Sequence, residues 1–295
     1  MAARQGRVNN NGPTHFLCIP LLRRQLARNV VAFRADVTNI NAAPPLPLPS
    51  SAVRPPGTMH ITLGVMSLPQ PAQLARAVAL LRGLCPRTVL AETRAALRRR
   101  RGAGRGLACS PRVASQKNEK NEEEEEDDDG SVWLTLKGLH AMQDPSSTGV
   151  LYAPPLDANG DNGPGHGRGQ QDAGLLFAFC QAVRQRFMDA GLMEPDRRPF
   201  LLHATVVNTT HVKSHERGLG QGSGPGAGPG AATAGRGRGG RERMMLDART
   251  LLEEYAEHVW LDRHEVRSLA ICRMGAKPKG DRGDEAYEVV EEVAV

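Results

Sequence analysis

His60-x-Thr62 and His203-x-Thr205 are the residues of this chain whose types and spacing could do chemistry. Each pair sits in an apolar run that reads as a β-strand, Thr58-Met59-His60-Ile61-Thr62-Leu63 and Leu202-His203-Ala204-Thr205-Val206. Side chains alternate faces along a strand, so a His and a Thr two apart share a face. Two such strands side by side would gather two imidazoles and two hydroxyls around one small site. Imidazole exchanges protons near neutral pH and hydroxyls donate to phosphate oxygens, a metal-free kit for acid–base chemistry on a phosphodiester. The competing reading is two satisfied histidines on a sheet surface, which so short a motif does not exclude. The first run alternates strictly, with Thr58, His60, Thr62 and Gly64 on one face and Met59, Ile61, Leu63 and Val65 on the other. The second is less regular, because Leu201 and Val207 fall on the face of His203 and Thr205.

The doublet resembles the signature of the 2H phosphoesterase superfamily. That group contains 2′,5′-RNA ligase-like proteins, cyclic phosphodiesterases and the A-kinase-anchor-protein-7-like phosphoesterase domain. The residues carrying the resemblance run in order through Thr14 to Leu21, His60 to Met66, Val150 to Ala153, Leu202 to Thr209 and Asp247 to Arg249. It covers about residues 13–295. Within the group the chain resembles a subunit of a transcription cointegrator complex. Such a subunit usually carries a KH-type RNA-binding module ahead of the phosphoesterase-like domain, and with about a dozen residues ahead of the domain here no such module is expected in this sequence.

The resemblance implies an α+β fold, bilobal, with a pseudo-twofold duplicated unit of antiparallel sheet and helices around a central cleft. It implies His60, Thr62, His203 and Thr205 as catalytic residues, with no cofactor and no metal. The substrate it implies is RNA or a nucleotide bearing a cyclic phosphate or a 2′,5′ phosphodiester. Cointegrator-complex subunits are the implied partners, and the nucleus is favoured over the cytoplasm. The alternative is a non-catalytic nucleic-acid-binding or scaffold subunit of a nuclear transcription-cointegrator or repair complex. Fold alone does not separate the two.

Composition sets bounds on both. In 295 residues, 38 Lys and Arg against 32 Asp and Glu give a net charge of +6, which permits nucleic-acid binding without requiring it. Hydrophobic content of 40% with 32 Gly and 21 Pro fits a folded core diluted by low-complexity insertions. The five cysteines are scattered without metal-ligand spacing, so a zinc site is not expected, and thiols reduced inside the cell are. No signal peptide and no membrane-spanning stretch is read.

The elements that must position the motifs follow from periodicity. Residues 14–21 read as a strand. A helix follows, with Leu22, Leu26, Val30, Phe33 and Val37 on its buried stripe. The Pro-rich run from Pro44 to Pro56 is a loop delivering the chain to the first motif. A helix from Pro71 buries Leu74, Ala77, Val78 and Leu81. Strands are expected at Val132–Leu136 and Val150–Ala153. A helix carrying Leu176, Phe179, Cys180, Val183 and Phe187 stops at Gly191. A helix at Leu251, Leu252 and Tyr255, capped by Asp247, precedes strands at Val266–Met274 and Ala286–Val293.

The domain reading is a disordered N-terminus at 1–12 and a single domain over 13–295. Disordered insertions are expected at about 94–130, 157–171 and 213–245. The first runs from a basic block at Arg94–Arg112 into the acidic Glu119–Asp129. The last ends in Gly235-Arg236-Gly237-Arg238-Gly239-Gly240-Arg241, similar to RNA-binding Arg/Gly segments but without stacking aromatics. The histidines outside the motifs are expected at element boundaries or on the surface.

Overall fold

The computed structural model describes residues 12–39, 48–105, 131–157, 174–195, 198–212, 244–280 and 284–295. In chain order the elements are β1 (His15–Pro20), α1 (Arg24–Val37), β2 (His60–Met66), α2 (Pro71–Gly83), α3 (Pro86–Arg105), β3 (Trp133–Lys137), β4 (His140–Ala141), β5 (Val150–Ala153), β6 (Pro155–Asp157), α4 (Leu175–Asp189), β7 (Ala204–Asn208), α5 (Arg249–Glu254), β8 (Val259–Glu265), β9 (Ser268–Arg273), β10 (Lys277–Lys279), β11 (Asp284–Ala286) and β12 (Val289–Ala294). The strands form a seven-stranded sheet in the order β12-β9-β1-β2-β7-β5-β4, a three-stranded sheet β6-β3-β8 and the pair β10-β11. Every strand pair is antiparallel. The fold class is α+β.

The large sheet is two-faced. Leu17, Ile19, Ile61, Leu63, Val206 and Val207 join α1 residues Leu26, Val30 and Phe33 and α4 residues Phe179, Val183 and Phe187 in one continuous core. Burial of these aliphatic and aromatic side chains, each contributing roughly 1.5–3 kcal/mol, is the main force holding helices to sheet. The opposite face carries a separate small cluster of Phe16, Cys18, Ala270 and Cys272, with Tyr287 packed against it. The motif hydroxyls and imidazoles stand on that second face.

The helices follow their sequence periodicity. α4 ends at Gly191, whose φ of +68° is the left-handed conformation glycine adopts without penalty. Leu192 N–H then donates to Phe187 O at 3.0 Å, closing the helix end. Trp260 is fully buried in the small sheet and donates its indole N–H to Gly138 O at 2.8 Å.

Several expectations need correction. Leu22 lies ahead of α1 and is 63% exposed, because the helix starts only at Arg24. The insertion expected from residue 94 begins inside α3: Val89, Leu90 and Thr93 are buried and hold this helix down, so its charged continuation to 105 stays helical. Residues 106–130, 158–171 and 213–243 of the expected insertions, and 1–11, lie outside the described residues. Ala248, not Asp247, occupies the cap position of α5, although Asp247 Oδ1 accepts from Arg249 N–H at 3.3 Å. β8 had no expected counterpart, and it buries His264, where Arg23 Nε donates to Nδ1 at 3.1 Å. His15 is likewise buried within β1.

Candidate functional site

β2 and β7 are neighbours in the middle of the large sheet, meeting where Ile61 lies opposite Ala204. That register sets His60 opposite Thr205 and Thr62 opposite His203. Ile61 and Ala204 point into the core, so all four motif residues share the other face.

Both motif strands are bulged at the same place. The register of β1 against β2 jumps between Leu17↔Gly64 and Cys18↔Thr62, leaving Leu63 as the extra residue. That of β5 against β7 jumps between Leu151↔Val207 and Tyr152↔Thr205, leaving Val206 as the extra residue. Each extra residue is the third after its motif histidine. A bulge shifts the alternation by one, so the residue fifth after each histidine returns to the cleft. Val65 and Asn208 accordingly line it. Gly64 turns to the helix side instead, where a Cβ would sit 2.5 Å from Met193 Sδ, and Val207 is fully buried. This corrects strict alternation in the first strand and explains the irregularity of the second.

Both imidazoles are tethered alike. His60 Nδ1 lies 2.7 Å from Thr58 O, and His203 Nδ1 lies 2.9 Å from Leu201 O. A carbonyl only accepts, so Nδ1 carries the proton in each ring and Nε2 is the atom left for chemistry. Neither the Thr62 nor the Thr205 hydroxyl has a hydrogen-bond partner among the described residues.

A cavity of about 190 Å³ opens on this face, lined among others by His60, Thr62, Thr205, Asn208, Arg54 and Tyr287. His203 is not among the residues lining it; its ring stands edge-on to Tyr152 at 5.6 Å between centroids. His60 packs against Phe16 at 4.7 Å and edge-on to Tyr287 at 5.3 Å. Burial, with smaller contributions from Arg54 and His203, pushes the His60 pKa down to about 4 against the tether to Thr58 O. Burial also lowers His203, helped by Arg198 and opposed by the bond to Leu201 O. Both imidazoles therefore rest neutral at neutral pH. Among the described residues no group of three or more His, Cys, Asp or Glu could hold a metal ion.

Sequence reasoning missed Arg54, Phe16, Met274 and Tyr287. Arg54 sits in the Pro-rich loop, and Tyr287 joins from near the end of the chain. Nothing local marks either as a cleft residue.

Two His-x-Thr strands side by side at the centre of an antiparallel α+β sheet define a 2H phosphoesterase arrangement. A model of the AKAP7 2′5′ RNA ligase-like domain matches residues 13–295, and the chain belongs to that family. Similar solved structures include Escherichia coli LigT complexed with 3′-AMP, at 14% identity over 97% of this chain and 99% of that one, with a TM-score of 0.42. Another is TT0787 of Thermus thermophilus, at 13% identity over 95% of this chain and 97% of that one, with a TM-score of 0.44. A third is a protein described as a phosphoesterase, at 14% identity over 97% and 99%, with a TM-score of 0.44. No curated protein matches the chain by sequence. Among the described residues no helix is long and apolar enough to cross a membrane.

Proposed function

We propose that this chain, a phosphoesterase-type protein by family, hydrolyses a cyclic phosphate or a 2′,5′ phosphodiester of RNA by metal-independent acid–base chemistry of His60 and His203. The observation carrying this reading is the β2–β7 register, which places both histidines and both threonines on one face with Nε2 of each ring free.

The chemistry follows from those atoms. One Nε2 takes a proton from the attacking water or ribose hydroxyl as the P–O bond forms. The other gives a proton to the departing ribose oxygen as its P–O bond breaks. Thr62 and Thr205 hydroxyls donate to the non-bridging oxygens, where charge builds in the transition state. Both rings begin neutral, His60 pushed down to about 4 and His203 lowered by burial. A phosphate bound between the rings favours the protonated form of each, so that either can then serve as the acid while the other is the base. In the reverse step the two exchange roles. Nuclear cointegrator subunits remain the partners that the sequence resemblance suggests.

The test is turnover by the purified protein on RNA ends, 2′,3′-cyclic nucleotides and 2′,5′-linked oligonucleotides, with EDTA present and His203→Ala beside it. Turnover that disappears in the variant supports the reading. Tight RNA binding with no turnover on any substrate decides for a non-catalytic binding subunit.

A further inference from the structure

Arg54 is the only buried arginine among the described residues, at 6% exposure, and it lines the cleft cavity. The ion-paired arginines are exposed and have carboxylates: Arg82 with Glu291, Arg186 with Glu92, Arg249 with Asp247 and Arg267 with Glu265. Among the described residues no carboxylate lies within ion-pair distance of Arg54. Its side-chain bond is to the neutral Tyr287 hydroxyl, from Nη2 at 3.1 Å. A guanidinium has five N–H donors, so most of this one's hydrogen-bonding capacity is unused.

The position is built rather than incidental. Arg54 N–H donates to Val206 O at 2.8 Å, which is the carbonyl of the extra residue in the β7 bulge. Val53 bridges Val207 beside it. The Pro-rich loop is thus pinned across the second motif strand while its arginine reaches the cavity that His60 lines. Tyr287 serves both groups, bonding Arg54 and packing edge-on against His60. Burying a cation without a counter-ion is costly, and an anion entering the cavity would remove that cost.

We propose that Arg54, positioned by Tyr287, is the charge-binding residue of the cleft and takes a phosphate oxygen of the ligand. The inference rests on the reading of the cleft as a phosphoester site and adds a residue that neither His-x-Thr motif contains. The planar guanidinium fork matches two phosphate oxygens, while Thr62 and Thr205 are placed to meet the others. A neutral nucleoside gains nothing from Arg54. A free phosphate and a nucleotide phosphate both do.

Calorimetry on the full chain tests it with inorganic phosphate, adenosine 3′-monophosphate and adenosine, at low and high salt. Arg54→Gln should weaken both phosphates by about tenfold or more and leave adenosine unchanged. Its phosphate binding should also respond less to salt than that of the wild type. Arg54→Lys should fall between the two, because it keeps the charge and loses the fork. Tyr287→Phe should weaken phosphate by a smaller factor, and it carries the test if Arg54→Gln does not fold. Wild-type protein that binds neither phosphate, or variants that bind both within twofold of wild type, would overturn the inference. Phosphate binding lost in Arg54→Gln, in a protein with no turnover on any RNA substrate, would leave Arg54 standing and remove the catalytic reading. Turnover with unchanged KM in Arg54→Gln would do the reverse.

Discussion

The two motif strands share a backbone plan and differ in what surrounds it. Both tether the histidine through Nδ1 to the carbonyl two residues earlier, and both bulge at the third residue after it. Around His60 stand Arg54, Phe16 and Tyr287. Around His203 stand Tyr152 and, at longer range, the charge of Arg198, with His140 packed on the far side of Tyr152. The repeated part is local, made by backbone hydrogen bonds and one extra residue. The part that differs comes from segments outside the repeat. A symmetric frame thus holds two chemically identical rings, and the unrepeated residues give the two rings different surroundings.

The largest test of that division is removal of each ring. His60→Ala and His203→Ala should each lower kcat/KM by about 10²- to 10⁴-fold on a cyclic phosphate. The double variant should be little worse than either single, because the pair works as a unit. Additive losses would show two independent sites. The threonines come next. Thr62→Ala and Thr205→Ala should each cost on the order of 10²-fold by analogy with losing one oxyanion donor. Equal losses would extend the symmetry to the oxygens, whereas unequal ones would show that the phosphate sits toward one strand.

The bulge itself is tested by stability. Gly64→Ala sets a Cβ 2.5 Å from Sδ at the far end of the flexible Met193 side chain, which can shift, so the cost in urea unfolding should be small, at most about 1 kcal/mol. In a Met193→Ala background the added cost of Gly64→Ala should vanish, read as the coupling term of a double-mutant cycle. A loss well above that in Gly64→Ala would mean that Met193 cannot give way. A smaller, pH-dependent effect separates His60 from an exposed histidine. His60 and His264 are held down to about 4 in the folded chain, and titrate near about 6.5 when unfolded. The unfolded chain therefore binds more protons between those values, so stability is full above about pH 6.5 and falls as pH drops toward 4. Melting temperatures should decline across that window, less steeply in His264→Asn. A flat profile from pH 7 to 4.5 would contradict the burial of both rings. EDTA should produce the smallest effect, none, on turnover by either ring's chemistry; loss of activity restored by a divalent cation would displace the acid–base scheme.

Much of the site was readable because its signal is local. A His-x-Thr inside a strand puts both side chains on one face wherever the strand lies, and an apolar stripe such as Leu26, Val30, Phe33 and Val37 marks a helix from its own spacing. Gly191 marked the end of α4 for the same reason. The bulges were invisible, since an extra residue is defined only against a partner strand. Leu63 and Val206 look like ordinary strand positions until Cys18 and Tyr152 are set beside Thr62 and Thr205.

The chain's own order of residues determined that it carries two histidine–threonine pairs on strands, helices with buried stripes, and charge-rich segments unsuited to a core. Tertiary structure alone decided that those strands are neighbours with His60 opposite Thr205, and that the helix reaching 105 is held by Val89 and Leu90. It alone brought Arg54 and Tyr287, 233 residues apart in sequence, within hydrogen-bonding distance beside His60. The physical reason is range: periodicity and capping are set by residues within a turn or two. Register, burial and the electrostatics of a cavity are set by side chains that only the completed fold brings together.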